Sequence, residues 1–171
     1  MSGTYVTGEL IKSAVALRIR QAFAVTAGDP PVTLYPVITK ERTVQGHETP
    51  SFFIWQLNMS QEEVAKDVFE RTYQMNVRYF PEESTKMYEQ LDNIGNQLLE
   101  ALRYIDVPLI VSVTDEGEYV LENRKVRGAE MDYKIQDDVL QAFANYTIRV
   151  KLPKEELPGM ETLAINESIK N

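Results

Sequence analysis

Hydrophobic and polar positions alternate most regularly near the end of the chain, between Gly128 and Leu152. In the second half of this segment the apolar side chains share one parity: Leu140, Ala142, Ala144, Tyr146, Ile148, Val150 and Leu152. A period of two residues is typical of a strand with one buried face. Asp137 and Asp138 separate this run from the alternating run before it. The segment 128–152 is therefore predicted to be a β-hairpin.

Two other segments carry apolar residues at helical spacing. The first follows Thr7, a suitable N-cap, and its apolar positions are Leu10, Ile11, Ala14, Val15, Leu17, Ile19, Ala22 and Phe23. The second follows Ser84 or Thr85, and its apolar positions step by three or four residues: Met87, Leu91, Ile94, Leu98, Leu102 and Ile105. We expect the first helix to end before the sequence AGDPP at 27–31 and the second to begin after Pro81.

The remaining apolar runs predict further strands. VTLYPVI at 32–38 reads as one short strand, in which Pro36 favours an edge or a bulge. SFFIWQLNMS at 51–60 is apolar on both parities, so we expect a strand with no solvent-facing side. FERTYQMNVRYF at 69–80 reads as a half-buried strand. The charged residues 61–68 between these two strands either interrupt them or extend them into a long hairpin.

The second half of the chain continues in the same way. LIVSVT at 109–114 predicts a strand, DEGEY a turn, and YVLENRKVRG a return through or beside the sheet. The order is helix, strands, helix, strands, and most connections are hairpins. We therefore predict an α+β domain over 1–152, with an antiparallel or mixed β-sheet and two α-helices packed on one face. Residues 153–171 have no sustained period and read as a C-terminal arm.

Composition excludes several classes of protein. The chain has 171 residues, no cysteine and one histidine, so disulfides, thiol catalysis and most zinc sites are removed. Its N-terminal segment lacks the layout of a signal peptide, and no apolar run approaches the roughly 20 residues of a membrane helix. We expect the protein to be made and to work in the cytoplasm, or in a particle assembled there.

The charge is acidic, with 26 acidic against 18 basic residues and a net charge of −8. Such a field repels nucleic acid, so a protein that lets DNA slide past fits better than one that binds it. The basic cluster of Arg124, Lys125 and Arg127 is too small for a nucleic-acid patch. We expect it to be solvated or to face an acidic partner.

Few residues are candidates for catalysis or metal binding. Acidic pairs occur at predicted turns and helix starts, where water or the helix dipole satisfies them. These acidic pairs leave one alternative function open, that of a small metal-dependent enzyme that uses Mg²⁺ or Mn²⁺. His47 reads as a polar loop residue, and no nucleotide-binding or nucleophile motif is present. We therefore predict no catalytic residue, no metal site and no cofactor.

The resemblance of this chain to a known family rests on four segments in order. They are the N-terminal amphipathic helix, PSFFIWQL at 50–57, YQMNVRYFP at 73–81 with the Leu-rich helix after it, and the final hairpin. Together they cover most of residues 7–152. In these segments the chain resembles the tail terminator proteins of long-tailed phages and phage-tail-like particles.

This resemblance implies a structural function. Members of the family are similar in being small α+β domains that assemble as a ring, typically a hexamer, on the last ring of the tail tube. The ring stops tube polymerisation, anchors the sheath in contractile tails, and meets the head-completion proteins at the neck. The resemblance thus implies a virion protein that is assembled in the bacterial host cytoplasm, with no membrane partner and with DNA only as passing cargo. A neck connector ring is the alternative within the structural class.

Two sets of residues are candidates for contacts in such a ring. Acidic residues at predicted turns are candidates to line its channel, where repulsion would keep DNA mobile: Glu62, Glu63, Asp67, Asp115, Glu116 and Glu118. Apolar residues without an obvious place in the core are candidates to contact partners: Phe143, Leu157, Met160, Leu163 and Ile165. Phe143 has the opposite parity from the buried run, and the other four lie in the arm.

Overall fold

The computed structural model describes residues 2–40, 49–83, 86–113 and 119–151. These ranges contain two helices, α1 (Gly8–Ala22) and α2 (Met87–Leu102). The strands are β1 (Ser2–Tyr5), β2 (Val25–Ala27), β3 (Val32–Leu34), β4 (Val37–Thr39), β5 (Ser51–Ala65), β6 (Val68–Phe80), β7 (Tyr104–Val113), β8 (Tyr119–Gln136) and β9 (Val139–Lys151).

Seven strands form one sheet in the order β1-β7-β8-β9-β6-β5-β4, while β2 and β3 pair in a separate two-stranded ribbon. β4 runs parallel to β5, and the other strand pairs are antiparallel. Helix α1 packs against β5, β6 and β7, and α2 packs against β8, β9 and α1. The predicted α+β class with a mixed sheet is confirmed. Ring formation and the division between a 1–152 domain and an arm stay predictions.

Helix α1 begins where the sequence predicts. The Thr7 hydroxyl accepts a hydrogen bond from the Leu10 amide at 3.3 Å, which satisfies one of the unpaired donors of the first turn. Ile11, Ala14, Val15 and Ile19 are buried. Leu17 is half exposed instead of buried. At 100° per residue it lies roughly 130° from the centre of the buried stripe, so it points away from the core.

Helix α2 buries the predicted stripe, including Leu91, Leu98 and Leu102. Lys86 is its N-cap, while the predicted caps Ser84 and Thr85 lie outside the described residues. Ile105 is not part of this helix, because β7 begins at Tyr104. The strand predicted at 109–114 therefore starts five residues earlier, and Ile105, Val107 and Leu109 are among its buried side chains.

The hairpin predicted at 128–152 is confirmed as β8–β9. Its turn residues Asp137 and Asp138 have φ angles of 53° and 59°, the left-handed conformation that two-residue hairpin turns require. The even-numbered residues of β9 from Leu140 to Val150 are buried, as predicted. Leu152 and the turn at 114–118 lie outside the described residues.

The predicted strand at 32–38 is wrong as a single element. It divides at Tyr35 and Pro36 into β3, which pairs with β2, and β4, which pairs with β5 at the edge of the main sheet. Proline has no amide hydrogen and cannot donate to a ladder, so the chain changes partner at this point. Of the predicted loop at 41–50, residues 41–48 lie outside the described part.

Strand β8 changes partner at Gly128. Residues before it pair with β7, and residues from it onward pair with β9. A Cβ atom at Gly128 would lie 2.9 Å from the Leu102 carbonyl oxygen, so only glycine allows α2 to approach the strand this closely. Since β1 pairs with both β7 and β9, the sheet curls around the two helices.

The carboxyl end of α2 is held by three groups from distant parts of the chain. The Arg18 side chain donates Nε–H to the Ala101 carbonyl at 3.2 Å, and the Tyr146 hydroxyl donates to the Leu102 carbonyl at 2.8 Å. The Gly128 amide donates to the Arg103 carbonyl at 2.9 Å. The last carbonyls of a helix have no partner within it, so these bonds fix the end of α2 on the sheet.

Replacing Gly95 with alanine is expected to destabilise the fold by about 1–3 kcal/mol. A Cβ atom at Gly95 would lie 2.7 Å from the Tyr133 ring, which is tied to α2 by a 2.6 Å hydrogen bond from its hydroxyl to Asp92. This clash outweighs the roughly 1 kcal/mol that alanine adds to helix propensity. Denaturant unfolding measures the change, and Gln97→Ala, exposed on the same helix, serves as the near-neutral control. A more stable Gly95→Ala variant would contradict the expected close packing.

Alkaline pH is expected to destabilise the protein. Burial raises the pKa of Tyr73, Tyr79 and Tyr146 above the ordinary tyrosine value. Above about pH 10 the unfolded chain loses these protons while the folded chain keeps them, so the free energy of unfolding falls as pH rises. Denaturant unfolding between about pH 8 and pH 11 tests this. A free energy of unfolding that stays constant from below to above about pH 10 would contradict this expectation.

Candidate functional site: an open strand edge and a basic groove

Strands β5 and β6 form one long hairpin, in which Ser51 pairs with Phe80 at one end and Ala65 with Val68 at the other. The interpretation that the charged residues 61–68 interrupt the strands is therefore wrong, and the alternative, an extension into a long hairpin, is confirmed. Asp67 occupies the turn with a φ of 61°. On the inner face Tyr73, Met75 and Val77 are buried, as the sequence predicts for a half-buried strand.

The edge of β5 is paired along only a small part of its length. β4 pairs with Ser51, Phe52 and Phe53, and from Ile54 to Ala65 no strand in the described ranges pairs with this side of β5. An unpaired edge presents backbone donors and acceptors to any extended segment that reaches it. This side of the hairpin can accept another chain.

The same part of the hairpin exposes large apolar side chains. Trp55, Leu57, Met59 and Val64 are 40%, 50%, 42% and 44% exposed, and we call these four residues the hairpin surface. The expectation that 51–60 has no solvent-facing side is thus wrong beyond Ile54. Residues 51–54 are buried on both faces, but the strand then runs past the end of β4 and becomes the open edge of the sheet.

Two of the predicted channel residues lie close to the hairpin surface. Glu62 and Glu63 are exposed on β5, and neither forms an ion pair with another described residue. Asp67 lies at the turn. The structure therefore places these three residues near the end of the hairpin, with Glu62 on the face of Glu70 and Glu63 on the opposite face, that of Phe69. Asp115, Glu116 and Glu118 lie outside the described residues. Channel lining by any of them stays a prediction.

A groove of about 470 Å³ lies between α1 and the chain leading into β4. Its lining residues are Ser13, Ala16, Leu17, Arg20, Tyr35, Pro36, Ile38 and Lys40. The Arg20 guanidinium stacks 4.2 Å from the centre of the Tyr35 ring, a cation–π contact. Sequence reasoning missed this groove, and the position of Leu17 outside the buried helical stripe was the one signal for it.

The rim of the groove is basic. The Lys40 ammonium lies 3.0 Å from both the Glu9 carboxylate and the Ser13 hydroxyl, and Lys12 lies 2.6 Å from the same carboxylate. Hydrogen bonds from Lys12, and then from Lys40, lower the pKa of Glu9 below its ordinary value. Lys12 and Lys40 thus share one anion, and Arg20, which lines the groove farther along α1, adds another positive charge.

Phe143 lies on the outer face of the sheet, away from the helices, as its parity predicts. It is half buried, pairs across the ladder with Asn76, and has the Lys134 ammonium 5.5 Å from its ring centre. Asn76 is buried beneath it and donates to the Ala142 carbonyl at 3.2 Å. Contact between Phe143 and a partner stays a prediction. The other partner candidates, Leu157, Met160, Leu163 and Ile165, lie outside the described residues.

The basic cluster belongs to the β7–β8 pair. Arg124, Lys125 and Arg127 are exposed, and Lys125 stands opposite Asp106 in the ladder. Among the described residues no group of three or more histidine, cysteine, aspartate or glutamate side chains is placed to hold a metal ion. No helix in the described ranges is both long enough and apolar enough to span a membrane.

One comparison identifies related proteins. A family model described as "Phage tail terminator protein" matches residues 11–158, which include most of α1, the long hairpin, α2 and the final hairpin. No match was found among curated proteins.

Proposed function

The chain belongs to the phage tail terminator family, and we propose that it forms a ring, most simply a hexamer, that caps the tail tube. Membership in this family supports a structural role in the tail of a phage. The proposed ring ends polymerisation of the tube, and of the sheath where the tail is contractile. It then joins the tail to the neck or head. We expect no catalytic activity from it.

One observation from the geometry supports this function above the others. The unpaired edge of β5 and the four apolar side chains of the hairpin surface lie on the same strand. Trp55 pairs with Asn76 on the outer face and Met59 pairs with Tyr73 on the core-side face, so these side chains flank the open edge from both sides. Exposed apolar side chains grouped along one strand mark a surface for another protein. A free strand edge beside it allows main-chain hydrogen bonds to add to the affinity. Such an element suits a subunit that repeats side by side.

The charge of the chain supports a channel that DNA crosses without binding. Glu62, Glu63 and Asp67 bring negative charge to the end of the hairpin, and the net charge of the chain is −8. DNA phosphates release no counterions when they approach an acidic wall, so the wall does not favour DNA binding. The DNA would therefore pass freely. We propose that these residues face the channel or the neighbouring subunit, and that the arm at 153–171 reaches the tube, sheath or neck.

Reconstitution tests the function. Purified protein added to growing tail tubes is expected to stop their elongation and to appear as a ring at one tube end by electron microscopy. Mixing it after elongation should leave tube length unchanged but still add the ring. Tubes that grow to the same length with and without the protein would refute the proposal. Binding to a portal or adaptor ring instead of the tube would favour the neck connector.

A further inference from the structure

We infer that the hairpin surface of one copy, with its carboxylates Glu62 and Glu63, binds the basic groove between α1 and β4 of the next copy. The occupant of the groove is thus a second copy of this chain. This inference rests on the proposed ring, because it assigns the two surfaces that meet at each contact between neighbours.

The two surfaces match in their apolar content. Leu17 and Tyr35 are exposed in and beside the groove, and Val32 and Leu34 are exposed on the adjoining β2–β3 ribbon. The hairpin surface carries side chains of similar size. Single exposed apolar residues are ordinary on a protein surface, but grouped ones indicate a partner.

The two surfaces also match in charge. Within the described part of the chain Arg20 has no carboxylate partner and is held in place by stacking on Tyr35. Glu62 and Glu63 lack a cationic partner in the same part of the chain. Complementary unpaired charges favour association of the two surfaces and set their orientation.

The carboxylate end of the hairpin cannot reach the groove of its own copy. The groove adjoins β4, which pairs with Phe53, and Val64 lies eleven residues farther along β5. At about 3.3 Å per residue this separates Val64 from the groove end of the strand by roughly 36 Å. The contact therefore joins two different patches on two copies, and repetition of such a contact closes a ring when the rotation allows.

Cross-linking between two single-cysteine variants tests the contact. The natural chain has no cysteine, so Leu17→Cys and Val64→Cys each introduce a single thiol, and both positions are exposed. The variants are assembled on tail tubes separately and as a mixture, with a tag on one of them, and treated with a short dithiol-reactive reagent. We expect a covalent dimer only in the mixture, and a ladder up to the full ring when one chain carries both changes.

The outcomes separate the two proposals. If wild-type protein forms no ring on tube ends, both the proposed function and this inference fail. If the ring forms but the mixture gives no cross-linked dimer, the inference alone is overturned. Cross-linking of either variant by itself would also overturn it, because that result requires like surfaces to meet.

Charge reversal provides a second measurement. Arg20→Glu alone, or Glu62→Arg with Glu63→Arg, is expected to weaken ring assembly by about tenfold or more, and combining all three changes should restore most of it. Glu100→Arg, an exposed reversal on α2, is the control and should assemble normally. Equal assembly of all variants would contradict the contact, and so would failure of the combined variant to recover while it stays folded.

Discussion

Replacing Leu57 and Met59 together with serine is expected to abolish ring assembly while leaving the folded subunit almost as stable as before. Both side chains are about half exposed in the subunit, so their removal costs the monomer little. At each contact between neighbours the loss is roughly 3 kcal/mol, on the order of a hundredfold in the association constant. Because every contact in a ring carries the same change, the whole assembly should fail.

Two measurements check this expectation. Thermal unfolding should give nearly the same midpoint for the variant and the wild type, while electron microscopy of tail tubes should show uncapped ends. The matched control is Val120→Ser with Leu121→Ser, which removes two exposed apolar side chains from β8. A Leu57→Ser, Met59→Ser variant that still caps tubes would show that the hairpin surface is not an assembly surface. Global unfolding would show that these side chains belong to the core.

Replacing Tyr146 is expected to have the largest effect on stability. Tyr146 is fully buried on β9, between the sheet and α2, and its hydroxyl donates to the Leu102 carbonyl at 2.8 Å. Tyr146→Ala should cost about 3–5 kcal/mol, because it leaves a cavity and removes that hydrogen bond. Tyr146→Phe should cost about 1–3 kcal/mol, because it leaves the buried carbonyl without its donor but keeps the ring.

Denaturant unfolding of both variants separates these contributions. Tyr88→Phe is the control, since Tyr88 is 72% exposed and should change stability very little. A Tyr146→Phe variant as stable as the wild type would mean that water or a shifted group satisfies the Leu102 carbonyl. In that case only the Arg18 side chain and the Gly128 amide would contribute hydrogen bonds that hold the end of α2.

The sequence by itself determined the elements whose pattern is local. Helix α1 begins at its N-cap Thr7, and β9 buries the predicted parity from Leu140 to Val150. Each of these features depends on residues a few positions apart, within one turn of helix or along one strand. The absence of cysteine and the acidic charge likewise follow from composition alone, and the order of apolar segments carried the family resemblance.

Only the tertiary structure decided burial where residues with the same sequence pattern have different surroundings. Phe53 and Trp55 follow the same pattern in the sequence, yet Phe53 is buried and Trp55 is exposed, because β4 ends opposite Phe53. The carbonyls at the end of α2 take donors from Arg18, Gly128 and Tyr146, which no local pattern connects. Burial and hydrogen bonding depend on what lies opposite in space, and those neighbours come from distant positions in the chain. For this reason the open edge of β5 and the basic groove emerged only from the folded chain.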